Sequence, residues 1–94
     1  MAVVIVNEMG GGDQSLYDEV TSQVMPGGQL PNGCQLHIAG PMDGGWRVIT
    51  VWDSEEQFQE FRDGTLIPAL QESGQADRVS PQIDARPVYK LITA

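Results

Sequence analysis

The stretch from Gly33 to Trp52 limits the possible folds of this chain more than any other. It reads Gly-Cys-Gln-Leu-His-Ile-Ala-Gly-Pro-Met-Asp-Gly-Gly-Trp-Arg-Val-Ile-Thr-Val-Trp. Two runs rich in β-branched, apolar and aromatic residues flank a Pro-Met-Asp-Gly-Gly turn. Asp-Gly between such runs predicts a two-residue hairpin turn of the primed type, which needs positive φ at both central positions. The same stretch holds His37, the sole histidine, and both tryptophans, Trp46 and Trp52. Any chemical site is expected here first.

The rest of the chain supplies elements to pack around that hairpin. Residues 2 to 8 form a short β-branched run ending in Asn7 and Glu8, read as a buried strand. Gly10-Gly11-Gly12 breaks it. The spacing fits neither GxGxxG nor the Walker pattern, so a flexible connection is the better reading. Asp13 or Ser15 can cap a helix running to about Met25, with Leu16, Tyr17, Val20 and Val24 on one face. Pro26-Gly27-Gly28 stops it. The hairpin strands are placed at about Cys34 to Gly40 and Trp46 to Asp53. Ser54-Glu55-Glu56-Gln57 is a capping box, opening a second helix with Phe58 and Phe61 inward. Gly64 and Pro68 together lower its propensity by about 4 kcal/mol relative to alanine. An interruption is therefore expected near Gly64 to Ile67, bordering a pocket mouth, with a short segment from Pro68 to Ser73 beyond it. Gln75 to Ala85 reads as a loop, and Arg86 to Thr93 as the last strand. The order is β-α-β-β-α-β, a ferredoxin-like α+β arrangement. Four antiparallel strands carry two helices on one face, and nothing remains to cover the other.

Centring the turn on Asp43-Gly44 sets the hairpin faces. His37 then lies opposite Thr50, Ala39 opposite Val48 and Gln35 opposite Trp52, with Pro41 and Trp46 on the same side. The other side carries Cys34, Leu36, Ile38, Gly40, Arg47, Ile49 and Val51, and is nearly all aliphatic. Apolar walls with a few directed polar groups are what a pocket floor requires. A lone strand histidine more often serves as a satisfied core group, and paired tryptophans as core volume. Their clustering on one face with Gln35 and Thr50 favours a site. The aliphatic side is expected to pair with a second copy of the chain, because apolar patches of that extent are rarely left exposed.

Composition narrows the partners. Ninety-four residues make one small domain, taken as residues 1–94. Thirteen acidic residues against five basic ones give a net charge of -8, which repels phosphate backbones and anionic membrane surfaces. Neither nucleic acid nor membrane is expected as a partner. The single cysteine cannot form an internal disulfide, and no spacing suggests a metal. The run Ala2 to Val6 is too short for a signal-peptide core or a membrane span, so a cytoplasmic protein is expected.

The string His37-x-Ala39-Gly40-Pro41, Gly44-Gly45-Trp46-Arg47-Val48 and Val51-Trp52-x-Ser54 resembles small proteins of the dimeric α+β barrel superfamily, closest in style to the antibiotic biosynthesis monooxygenase-like proteins. Phe58-x-x-Phe61, Leu66-x-Pro68-Ala69-Leu70 and Gly74 continue the likeness, which spans about residues 2 to 93. The resemblance implies a homodimer whose two sheets form a barrel, with a cavity between sheet and helices in each subunit. It also implies a cofactor-independent monooxygenase acting on an electron-rich phenolic or polyketide-like molecule. Asn7, Tyr17, His37, Arg47, Trp46, Trp52 and Tyr89 are side chains of the types that position such an anion.

His37 is thus the candidate general base, its ordinary pKa lying near neutrality. Trp46, Trp52, Thr50, Gln35, Tyr17, Phe58 and Phe61 are the candidate substrate contacts, for a small hydrophobic or aromatic molecule and with no cofactor. An isomerase or cyclase of the same fold, and a non-enzymatic ligand-binding module, are the competing readings. Haem binding ranks below these, since it needs an axial histidine open to the cavity and His37 sits mid-strand.

Overall fold

In the computed structural model, which describes residues 1–94, strand β1 (Val3–Gly10) leads into helix α1 (Gln14–Val24). A hairpin of β2 (Cys34–Met42) and β3 (Gly45–Trp52) follows, then α2 (Glu55–Phe61), α3 (Ile67–Glu72) and β4 (Ser80–Pro87). The sheet order is β2-β3-β1-β4, with every neighbouring pair antiparallel. This is the expected ferredoxin-like βαββαβ fold. No helix is long and apolar enough to cross a membrane.

Local chemistry fixes the helix ends. Asp13 Oδ1 accepts from the Leu16 amide at 2.9 Å and starts α1. Ser54 Oγ accepts from the Gln57 amide at 3.2 Å and donates to Gln57 Oε1 at 3.2 Å. The box therefore closes side chain to side chain and not onto the Ser54 amide. Between α2 and α3 the backbone widens into a π-helical segment, Arg62–Leu66, in which the Ile67 amide reaches back to the Arg62 carbonyl. Pro68, lying in the first turn of α3, has no amide to offer Gly64, and the wider turn accommodates that loss. The expected interruption is there, as a bulge within one helical arm.

The hairpin keeps the expected pairing from His37↔Thr50 to Met42↔Gly45. Its turn differs. Gly44 has φ 74°, while no non-glycine residue has positive φ, so Asp43 stays in the ordinary region and the turn is not of the primed type. A side chain at Gly45 would collide with the Met9 carbonyl, which lets β1 lie close against the hairpin. The register also slips between Cys34 and Leu36, so that Cys34, not Gln35, pairs with Trp52. Gln35 is the extra residue of a β-bulge, and the bulge turns Cys34 to the helix-covered face.

Composition misplaces the last strand. β4 runs Ser80–Pro87 and pairs with β1 from Gly10↔Ser80 to Val3↔Pro87, inside the expected loop. Pro81, Ile83, Ala85 and Pro87 alternate with Gln82, Asp84 and Arg86, a clean period of two with few large apolar groups. Both prolines are tolerated because β4 is an edge strand, where a missing amide costs no inner ladder bond. Only the start of the expected strand, Arg86 to Pro87, is in the sheet. The apolar run after it leaves the sheet, with Tyr89 97% and Ile92 80% exposed.

Buried residues form two separate groups. Val3, Ile5, Trp52 and Phe58 form one between sheet and α2. Leu16, Val20, Ala69 and Val79 form the other between α1 and α3.

Candidate functional site

A cavity of about 160 Å³ lies between these two groups. Ile5, Trp52 and Phe58 of the first group and Leu16 and Val20 of the second face it from opposite sides, with Leu66, Ile67 and Arg62 of the helical arm along it. The segment expected at the pocket mouth thus contributes lining residues. An engineered cavity of about 150 Å³ holds a benzene molecule, so this one suits a single ring. A wider cleft of about 410 Å³ adjoins it, lined by Asp18, Ser22, the Gly27-Gly28 turn and Leu30. Tyr17, Thr21, Met25 and His37 line both spaces.

His37 sits on the helix-covered face, where strand alternation puts it together with Thr50. Its Nε2 is 2.6 Å from the Tyr17 hydroxyl, with the ring centroids 5.9 Å apart. Burial holds the imidazole below its ordinary pKa, so it is neutral at pH 7. Burial, with the Asp18 charge adding to it, pushes the Tyr17 hydroxyl up. The neutral tyrosine can donate to a neutral imidazole, or accept from its other tautomer. Thr50 is buried and accepts from the Trp52 indole N–H at 2.8 Å. That bond satisfies the indole and fixes its plane against Phe58 and Phe61, at centroid separations of 5.7 and 5.3 Å.

Six of the eight sequence-derived candidates therefore line one cavity: Tyr17, His37, Thr50, Trp52, Phe58 and Phe61. Gln35 does not. The bulge leaves it exposed, with its amide on Asp53. Trp46 is also off the lining. Paired with Pro41 and Met9 near the turn, it packs behind Tyr17 at 5.5 Å between centroids, and its indole N–H is buried without a partner. Arg47 lies on the opposite face, paired with Glu8 at 3.0 Å.

The sequence offers Asn7 only as a residue type that positions such an anion and does not single out Arg62, yet both line the cavity. Asn7 Oδ1 is buried with no hydrogen-bond partner. The signal is available, since Asn7 falls in phase with Ile5 and Val3 on an apolar strand, where an amide needs a reason to be. Arg62 has its guanidinium 5.7 Å from the Phe58 ring centre and an ion pair with Asp63 at 2.9 Å. No three or more histidine, cysteine or acidic side chains are grouped to hold a metal. Burial raises the Cys34 thiol pKa, which makes it a poor nucleophile.

No protein-family profile matches the sequence, and no curated protein matches it either. Solved structures do. SnoaB, a cofactor-independent oxygenase from Streptomyces nogalater, superposes with a TM-score of 0.66 at 14% identity, over 99% of this chain and 98% of that one. A mutant of SnoaB, with one asparagine replaced by alanine, gives 0.67 at 12% identity over the same shares of the two chains. A candidate antibiotic biosynthesis monooxygenase from Deinococcus radiodurans gives 0.59 at 14% identity, over 100% of this chain and 98% of that one. The chain has the fold of the antibiotic biosynthesis monooxygenase-like proteins.

Proposed function

We propose that the protein is a cofactor-independent monooxygenase for a phenolic, aromatic or polyketide-like small molecule. The observation that carries this reading is the neutral Tyr17–His37 pair set in the wall of an apolar, ring-sized cavity. The likeness to an oxygenase structure supports it at the level of fold. Apolar walls from Trp52, Phe58 and Phe61 bind the ring, and the unpartnered Asn7 Oδ1 accepts from a substrate hydroxyl. The Tyr17–His37 pair receives the proton that leaves the phenol. The phenolate is the electron donor: phenol and O2 give a quinone and water, with one oxygen atom entering the ring and two hydrogens leaving with the other. A substrate larger than one ring extends into the adjoining cleft.

The test is oxygen uptake with a polycyclic phenol, repeated without oxygen. Consumption of one O2 per product, and loss of turnover in His37→Ala, is the expected result. Product formed equally without oxygen would make the protein an isomerase or cyclase, and tight binding without turnover a ligand-binding module.

The working form is a homodimer closed through the uncovered face of the sheet. Leu36, Ile38, Ile49 and Val51 share that face; in the single subunit Ile38 is 52% exposed, Leu36 and Ile49 are partly exposed and Val51 is buried. A stable pair buries about 800 Å² per partner, which a four-stranded face can supply.

A further inference from the structure

The imidazole of His37 stands in the partition between two unlike spaces. On one side is the apolar cavity, and on the other a more open cleft with Asp18, Ser22 and the Gly27-Gly28 turn on its walls. Tyr17 stands in the same partition. The two ring nitrogens of His37 have different surroundings. Nε2 faces the Tyr17 hydroxyl at 2.6 Å. Nδ1 makes no hydrogen bond in the protein, yet it is not among the sealed, unpartnered polar atoms, which are confined to Asn7 and Trp46. It therefore keeps surface open to water. Tyr17 is braced from behind by Trp46 and cannot retreat without disturbing that ring.

We propose that Tyr17 and His37 form a two-step proton relay from the inner cavity to the outer cleft, with Tyr17 and not the histidine as the group that meets the substrate. The substrate O–H bond breaks and its proton joins Tyr17 Oη. The proton already on Oη passes to His37 Nε2, so Tyr17 ends neutral and the imidazole carries both N–H bonds. The charge on the new phenolate is answered by the imidazolium across the retained tyrosine hydroxyl. Nδ1–H then gives its proton to water in the outer cleft, and the imidazole is neutral again with its proton on Nε2. The oxygen that leaves as water draws the Nε2 proton back through the Tyr17 hydroxyl while Nδ1 takes one from water in the cleft, which restores the starting tautomer. No free tyrosinate forms, which matters because burial and Asp18 both oppose one. The arrangement lets a water-poor cavity lose a proton without admitting water to the reacting ring, where it would quench charge.

This relay rests on the reading that the cavity takes a phenol, and it can be tested apart from oxygen chemistry. The probe is 4-nitrophenol, too electron-poor to be oxidised, whose anion is read by its visible absorbance. His37 is the sole histidine, so the nitrogen resonances of 15N-histidine-labelled protein report its protonation without assignment. In the wild type, the nitrophenolate band is expected to grow in step with protonation of Nε2 as the probe binds. Tyr17→Phe is expected to bind the probe but ionise at least tenfold less of it, with the imidazole left neutral. His37→Gln is expected to lose ionisation to the same degree. A Tyr17→Phe protein that ionises bound nitrophenol as fully as the wild type would overturn the relay. So would a wild-type Nε2 that stays unprotonated while the anion forms. Absent oxygen uptake with an intact relay would instead remove only the oxygenase reading.

Discussion

The two faces of the sheet carry opposite kinds of residues for opposite reasons. The helix-covered face holds His37, Thr50, Asn7 and Trp52 among its apolar residues. The uncovered face is aliphatic along β2 and β3, with the Glu8–Arg47 pair toward the turn. In a lone antiparallel sheet the polar residues face water and the apolar ones face the helices. Here the polar groups are enclosed, while on the aliphatic face Val51 is buried and Ile38 is left half-exposed. Enclosure is what an active group needs, because a buried imidazole stays neutral and an unpaired amide stays available. Exposure of the aliphatic face is tolerable only if another surface meets it.

That contrast can be broken from either side. The largest effect is expected from Trp52→Ala, which removes a fully buried indole from the group under α2. It should cost about 3–5 kcal/mol in urea denaturation, and it should widen the cavity. Ile49→Asp on the uncovered face should raise the dimer dissociation constant at least about 100-fold, or about 3 kcal/mol, by sedimentation equilibrium. A wild-type protein sedimenting as a monomer at micromolar concentration would end the dimer reading.

Asn7→Leu tests the cost of keeping a polar group in the cavity. Removing a buried acceptor with no partner should stabilise the fold by about 1 kcal/mol, while weakening binding of a phenol. A destabilised variant would mean that Asn7 is structural. The smallest effect is on pH dependence. Burial lowers the His37 pKa in the folded state, so below about pH 6.5 the unfolded chain takes up a proton that the folded one refuses. Stability is therefore present above that pH and is lost as pH falls toward the folded value. The melting temperature of the wild type should drop more between pH 7 and pH 5 than that of His37→Gln.

Period-two alternation and the Asp43-Gly44 turn made the faces of the hairpin legible, because one turn position sets the phase of every residue as far as the first bulge. The bulge itself was not legible. Nothing in Cys34-Gln35-Leu36 marks an extra residue, and the slip appears only when β2 must meet β3 while Gly33 accepts from the Asp53 amide at 2.8 Å. β4 is hard to read from sequence because its alternation is carried by prolines, an alanine and one isoleucine, whereas Val88 to Ile92 has the stronger composition. The helix stops, caps and interruption rested on backbone donors present or absent, and those survive any tertiary setting. The Tyr17–His37 contact joins residues 20 apart in sequence, which no local pattern could pair.

The π-helical segment gives the molecule an adjustable length. Between the same end points a π turn stores one residue more than an α turn, and here the stored residue lies along the ring-sized cavity. Deleting Gly64, whose position has open space around it, together with Pro68→Ala, which restores the missing amide, would let the arm run as a continuous α-helix. It would draw α3 back by about one residue's rise, 1.5 Å, carrying Leu66 and Ile67 with it. The fold can thus be retuned to a smaller guest within its helical arm, with the strands of the sheet untouched. A lineage of such proteins could change what it accepts by counting residues in the roof instead of replacing them in the floor.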